Sequence, residues 1–202
     1  MTNTIKVVLL TSVVLSGVLG YTLSTPKESN VVSVHASWGK EQPSVKSLLD
    51  ESDLVVVGTL KEEIKSYQPF DGYEHTFTDG TIELQRVLKG PPLEEVVLSQ
   101  YGGVRMDGKV EVFDDLPLLE NSKTYLLFLS KINDNTERNG KYQVTGGPQG
   151  LYELARSDSK LMKTPDAELS DFSIFSFVDG EINQKVIDMG LDTIADLAKE
   201  PK

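Results

Sequence analysis

The stretch TIELQRVLKGPP, residues 81–92, starts as a strand and then breaks its own alternation. Ile82 and Leu84 alternate with Glu83 and Gln85, the period-2 pattern of a half-buried strand. The apolar phase then slips by one, because Gln85 and Arg86 take an extra step before Val87 returns to the face of Ile82 and Leu84. A β-bulge accommodates one surplus residue of this kind, bending the strand and raising its twist. Gly90, Pro91 and Pro92 end the run, since proline brings no N–H to a ladder and glycine no side chain. A long strand that turns a corner fits a small closed barrel.

The rest of the middle of the chain has the same character. LVVVGTL (residues 54–60) is apolar on both faces and β-branched, the mark of a central strand. EVVLSQYG (95–102), KVEVF (109–113, introduced by Asp107-Gly108), KTYLLFLS (123–130), YQV (142–144) and LYEL (151–154) follow as short strands. Turn chemistry separates them, including NDNTERNG (133–140) and the rim loop GGPQG (146–150). This pattern predicts a mainly β fold, a closed or nearly closed antiparallel sheet. Ahead of it, Val45, Leu48 and Leu49 share one face of a short helix that Ser44 is placed to cap. Behind it, FSIFSFV (172–178) predicts one more strand, and Ile187, Leu191, Ile194 and Ala198 keep helical spacing. Gly190 inside that helix costs about 1 kcal/mol against alanine. A break at Gly190, with Asp192 capping a final helix, fits equally well.

With 31 acidic against 20 basic residues the formal charge is −11, which repels phosphate backbones and argues against a nucleic-acid partner. The chain has no cysteine, so disulfides, thiolate metal sites and thiol nucleophiles are excluded. Lys6 precedes the apolar run VVLLTSVVLSGVLG (residues 7–20), near the length of a signal h-region, and small residues Gly20 and Ser24 are candidate cleavage points, although neither matches the Ala-x-Ala pattern. Residues 1–24 are therefore expected to be a signal peptide or an N-terminal anchor, with membrane attachment through residues 7–23 if it is retained. Residues 25–42, polar and aperiodic, read as a linker, residues 43–163 as the barrel domain, and residues 164–202 as an extension with a strand and a helix. The expected location is extracellular or at the cell surface.

Taken in order, DLVVVGTL (53–60), TIELQRVLKGP (81–91) and SKTYLLFL (122–129) resemble the strand pattern of the netrin-like module in tissue inhibitors of metalloproteinases. The likeness covers about half the chain, residues 45–152, and extends to exported bacterial proteins of the same architecture without assigned activity. It implies an OB-type barrel. Those inhibitors chelate the protease zinc through an N-terminal cysteine that has no counterpart here, so the resemblance carries the fold and not the inhibition.

No Gly-x-Ser-x-Gly elbow and no phosphate-binding glycine loop occurs, and no serine, histidine and aspartate fall in a known catalytic order. The chain is expected to be noncatalytic and without a cofactor. His35 lies in the linker beside Trp38, the only tryptophan. His75 lies with Asp71, Glu74 and Asp79 in FDGYEHTFTDG, a set of hard oxygen donors and one imidazole that matches no EF-hand or His-x-x-x-His spacing. The loop KSYQPFDGYEHTF (65–77) places Tyr67, Phe70, Tyr73, His75 and Phe77 between two strands. Aromatic residues dominate interface hot spots, and OB-type barrels bind through their loops, so these five are the candidate surface for an extracellular or envelope protein partner. Two of the aromatics would equally suit strand continuations packed inward. Separating cells from medium checks the leader: a cleaved signal puts the protein in the medium at a mass short of the full chain, and an anchor leaves it full-length in the membrane fraction.

Overall fold

The computed structural model describes residues 30–38, 41–156 and 171–200. The expected signal peptide or anchor at residues 1–24 lies outside these, as do residues 157–170, which span the expected boundary at 163. The elements are β1 (Val31–Val34), α1 (Val45–Glu51), β2 (Leu54–Tyr67), β3 (Phe77–Lys89), β4 (Glu95–Tyr101) and β5 (Gly103–Val104). There follow β6 (Val110–Phe113), β7 (Thr124–Lys131), β8 (Tyr142–Val144), β9 (Leu151–Arg156), β10 (Phe172–Ser176) and α2 (Glu181–Leu197).

Five strands close on themselves in the order β7-β2-β3-β4-β8, with β8 returning to β7. All neighbours are antiparallel except β4 and β8, which meet in parallel at Leu98 and Tyr142. The result is a mainly β, OB-like barrel. β7 carries β8 along its C-terminal half and β9 along its N-terminal half, so β9 and β10 leave the barrel as a flange.

The apolar pattern of β2 and β7 follows from this geometry. Leu54, Val56 and Leu60 with Tyr125, Leu127 and Leu129 fill the barrel interior together with Ile82, Leu98 and Leu151. The alternate residues Val55, Val57, Leu126 and Phe128 face outward, where α1, α2 and the flange cover them in a second core containing Tyr152, Ile174, Val186 and Ile194. Ser44 caps α1, its Oγ accepting from Ser47 N at 3.0 Å. The C-terminal helix breaks at Gly190, whose φ of 69° and ψ of 168° are not helical. The break was one of the two readings open from the sequence.

The slip in TIELQRVLKGPP is a bulge, as the alternation demanded. Val57 pairs with Arg86 and Gly58 with Leu84, which leaves Gln85 as the surplus residue. A second bulge puts Leu88 between the pairs Val55–Lys89 and Val56–Val87, and β2 answers with bulges at Lys61 and Ile64. Leu84 and Val87 consequently pack on the barrel interior, while Leu88 turns to the outer core. One strand thereby serves both sides of the sheet.

Two expectations need correction. β2 does not end at Leu60 but continues to Tyr67, and β3 begins at Phe77, so Tyr67 and Phe77 are a cross-strand pair and the connecting loop is only residues 68–76. The charged run Lys61–Lys65 concealed the strand because its side chains are exposed. Residues 31–38 are not a free linker but a strap that starts along β6 and ends at Trp38. β1 lies parallel to β6, Ser33 Oγ donates to Asp114 at 2.6 Å, and Trp38 Nε1 donates to Asp115 at 2.6 Å. A four-residue strand is too short to display a period, and its partner lies far along the chain.

Trp38 packs against Tyr101 and Phe113, with ring centroids 5.3 and 5.9 Å away, and over the backbone of Gly147. Gly147 has φ +58°, and a Cβ there would stand 2.6 Å from the indole. Substituting Gly147→Ala should cost about 2 kcal/mol through left-handed strain and displacement of the ring. Because Trp38 is the sole tryptophan, its emission should shift to the red in G147A, with a lower midpoint in urea as the companion measurement.

Candidate functional site

The β2–β3 loop and the β7–β8 loop meet at one end of the barrel, and aromatic rings run from the surface to the interior between them. Phe70 stands 56% exposed at the tip. Its ring meets Tyr73 edge-on at 5.0 Å, Tyr73 lies 5.8 Å from Phe77, and Phe77 lies 4.6 Å from Tyr101. Tyr101 contacts Phe113 at 5.5 Å, which brings the series to the Trp38 strap. Edge-on and tilted contacts at these separations are the favourable aromatic geometries.

Polar contacts fix the loop that carries Phe70. Tyr73 N donates to Phe70 O at 3.2 Å, and Gln68 Nε2 donates to Tyr73 O at 2.7 Å. Glu111 on β6, only 1% exposed, holds the C-terminal end of the loop with both carboxylate oxygens: Oε1 lies 2.9 Å from His75 Nδ1 and Oε2 accepts from Thr76 N at 2.7 Å. Burial pushes the Glu111 carboxyl up, but the hydrogen bonds from His75 and Thr76 outweigh it and hold the group below its ordinary 4.5.

Beneath the loop lies a buried polar cluster. Lys141 Nζ reaches Asp79 Oδ2 at 2.5 Å and Tyr67 Oη at 3.1 Å, and Tyr67 Oη donates to Asp79 Oδ1 at 2.9 Å. Burial opposes the Lys141 ammonium, yet Asp79 and Tyr67 more than compensate and raise its pKa. Burial, aided by Asp79, raises that of the Tyr67 hydroxyl against the pull of Ser99 and Lys141. Lys65, near the end of β2, bonds Glu137 on the β7–β8 loop.

Arg138 comes from the same β7–β8 loop and is 8% exposed. Its guanidinium carbon stands 3.9 Å above the Phe77 ring centroid and 5.5 Å from that of Tyr101. Nε donates to Ser99 Oγ at 3.1 Å and Nη2 to Gln143 Oε1 at 2.9 Å. Among the described residues no carboxylate forms a salt bridge with it. Cation–π contact is worth about 2 kcal/mol or more in a desolvated site, and with the two hydrogen bonds it offsets part of the several kcal/mol that burying an ion costs.

The five residues singled out in the sequence thus fall into different environments. Phe70 is exposed and Tyr73 half-buried, whereas Tyr67 and His75 are committed to internal partners and Phe77 is fully buried. The four groups of FDGYEHTFTDG do not converge. Asp79 is taken by Lys141 and His75 by Glu111, Asp71 and Glu74 are exposed, and no cluster of three or more metal-type ligands forms among the described residues. His35 lies 3.0 Å from Asp114 on the surface. Sequence reasoning missed Arg138, Lys141, Tyr101, Phe113 and Glu111. The polar loop NDNTERNG gave no sign that its arginine folds back over a ring, and Glu111 sits in an ordinary alternating strand.

A separate polar cleft of about 610 Å³ opens between the strap, the Gly147–Gly150 turn and the start of α2, lined by Trp38, Glu41, Asp115, Gln149, Glu181 and Asn183 among others. No family model matches the chain, and no curated protein matches it.

Because the folded pKa of Glu111 lies below the unfolded one, its carboxylate contributes stability at neutral pH that is lost as pH falls through the folded value. Glu111→Gln should destabilise by about 1–2 kcal/mol at pH 7. The gap to wild type in urea titrations should narrow as the pH is taken below 4.5, the ordinary value for the group.

Proposed function

We propose that this chain is a noncatalytic protein-binding module that is exported or held at the cell surface, and that the loop of residues 68–76 is its contact surface. The observation that carries this reading is Phe70, a large apolar side chain 56% exposed on a loop that its own hydrogen bonds and the Glu111 clamp hold in shape. An exposed ring on a preorganised loop loses little conformational entropy on binding. Tyr73 behind it supplies the aromatic backing typical of hot spots. OB-type barrels commonly bind through this kind of loop.

Kinship with netrin-like modules belongs to the same proposal. It is supported by the order of the three strand segments and by the barrel they build. Export rests on Lys6 and the apolar run after it, with attachment through residues 7–23 if the leader is retained. No helix among the described residues is long and apolar enough to cross a membrane. The alternative readings are a hydrolase or metal-dependent enzyme with an unrecognised site, and an envelope structural element. The first draws support from the polar cleft at Asp115 and Glu181.

Cross-linking on intact cells followed by mass spectrometry tests the proposal. Wild type should yield a reproducible partner that Phe70→Ala loses by tenfold or more, while the thermal midpoint of F70A stays within the effect of about 0.5 kcal/mol expected of a surface change. Recovery of the protein alone, or equal capture by F70A, would overturn it.

A further inference from the structure

We infer that Arg138 is a carboxylate-binding subsite, into which the partner of the aromatic loop inserts an acidic side chain or its chain terminus. The inference rests on the proposed loop surface and adds the chemistry of what that surface grips. A guanidinium offers five N–H donors in a planar fork. Here one is given to Ser99 and one to Gln143. Among the described residues Nη1 has no hydrogen-bond partner, and it is not sealed from solvent. An arginine more than nine-tenths buried thus keeps a donor that these residues do not use.

Three further features point to an anion. The rings of Phe77 and Tyr101 lock the guanidinium plane, and a fixed plane favours two parallel hydrogen bonds to one carboxylate. Among the described residues of this acidic chain, no carboxylate stands in salt-bridge contact with this cation. Asp134, on the same loop, spends Oδ1 on Thr136 instead. The Tyr73 ring lies 5.8 Å from the Phe77 ring that Arg138 covers, which puts the cation close under the loop that presents Phe70. A single carboxylate is favoured over a phosphate. Asp71, Glu74, Asp134 and Glu137 stand exposed on the two flanking loops and would repel a doubly charged group more strongly. The partner surface would therefore pair an apolar or aromatic side chain for Phe70 with a carboxylate for Arg138.

The test needs no partner. The chain has four arginines, so its Nε–Hε region holds four signals, and Arg138→Lys identifies one by its loss. Should that variant fail to fold, contacts to the Phe77 ring protons make the same identification. The full-length protein, kept in uncharged detergent, is titrated with acetate, which carries one carboxylate. A saturable millimolar shift confined to Arg138, and absent with acetamide, is the expected result. No shift at Arg138, or equal shifts at all four arginines, overturns the subsite. The same response to chloride means an adventitious ion only and also overturns it, and tighter binding of inorganic phosphate overturns the choice of carboxylate. Because these readouts are independent of the cross-linking result with F70A, failure of the subsite and failure of the binding surface remain distinguishable.

Discussion

Two strands, β2 and β7, are apolar on both faces, and the rest of the molecule is arranged to cover both. A single antiparallel sheet with one wet face would leave either Val55, Val57, Leu126 and Phe128 or their alternates in water. At about 1.5–3 kcal/mol per large side chain, neither set can be left exposed in a chain without disulfides. Rolling the sheet buries one set, and laying α1, α2 and the β9–β10 flange over the outside buries the other. The barrel and its helical extension are one solution to one constraint.

The polar features are built around that frame. Closure brings two loops together at one end, and the aromatic series from Phe70 to Trp38 passes between them. Its buried members are shaped by packing, and its outer member is left in water. Charges below it are balanced unevenly: Lys141 finds Asp79 and Tyr67, and Glu111 finds His75 and Thr76, but among the described residues Arg138 finds only neutral acceptors and rings.

Local signals made much of the fold legible. The two-sided apolar runs, the slip at Gln85, the Ser44 cap and the break at Gly190 each depend on residues within a few positions of one another. Strand length was less visible, because the exposed Lys61–Lys65 run carries no periodicity, and its pairing to β3 continues a ladder begun at Val55. The strap was hidden for a related reason, since Trp38 means nothing until Asp115, Tyr101 and Gly147 are brought to it. Of the candidate surface, the aromatic spacing of residues 67–77 was readable, but not which rings would point outward. Hairpin pairing decides that, and Tyr67 and Phe77 fell inside the ladder while Phe70 fell outside it.

The bulged, charged half of β2 bears on how the chain survives before it is finished. Leu54 must wait for Leu129, far along the sequence, before the cylinder can close. Topologies with such distant pairings assemble slowly. During that wait LVVVGT would be an adhesive segment for other unfinished copies. Lys61, Glu62, Glu63 and Lys65 follow it directly, and the register shifts at Lys61 and Ile64 twist this edge away from flat stacking. Side chains that add little to the completed protein thus act as gatekeepers during its assembly.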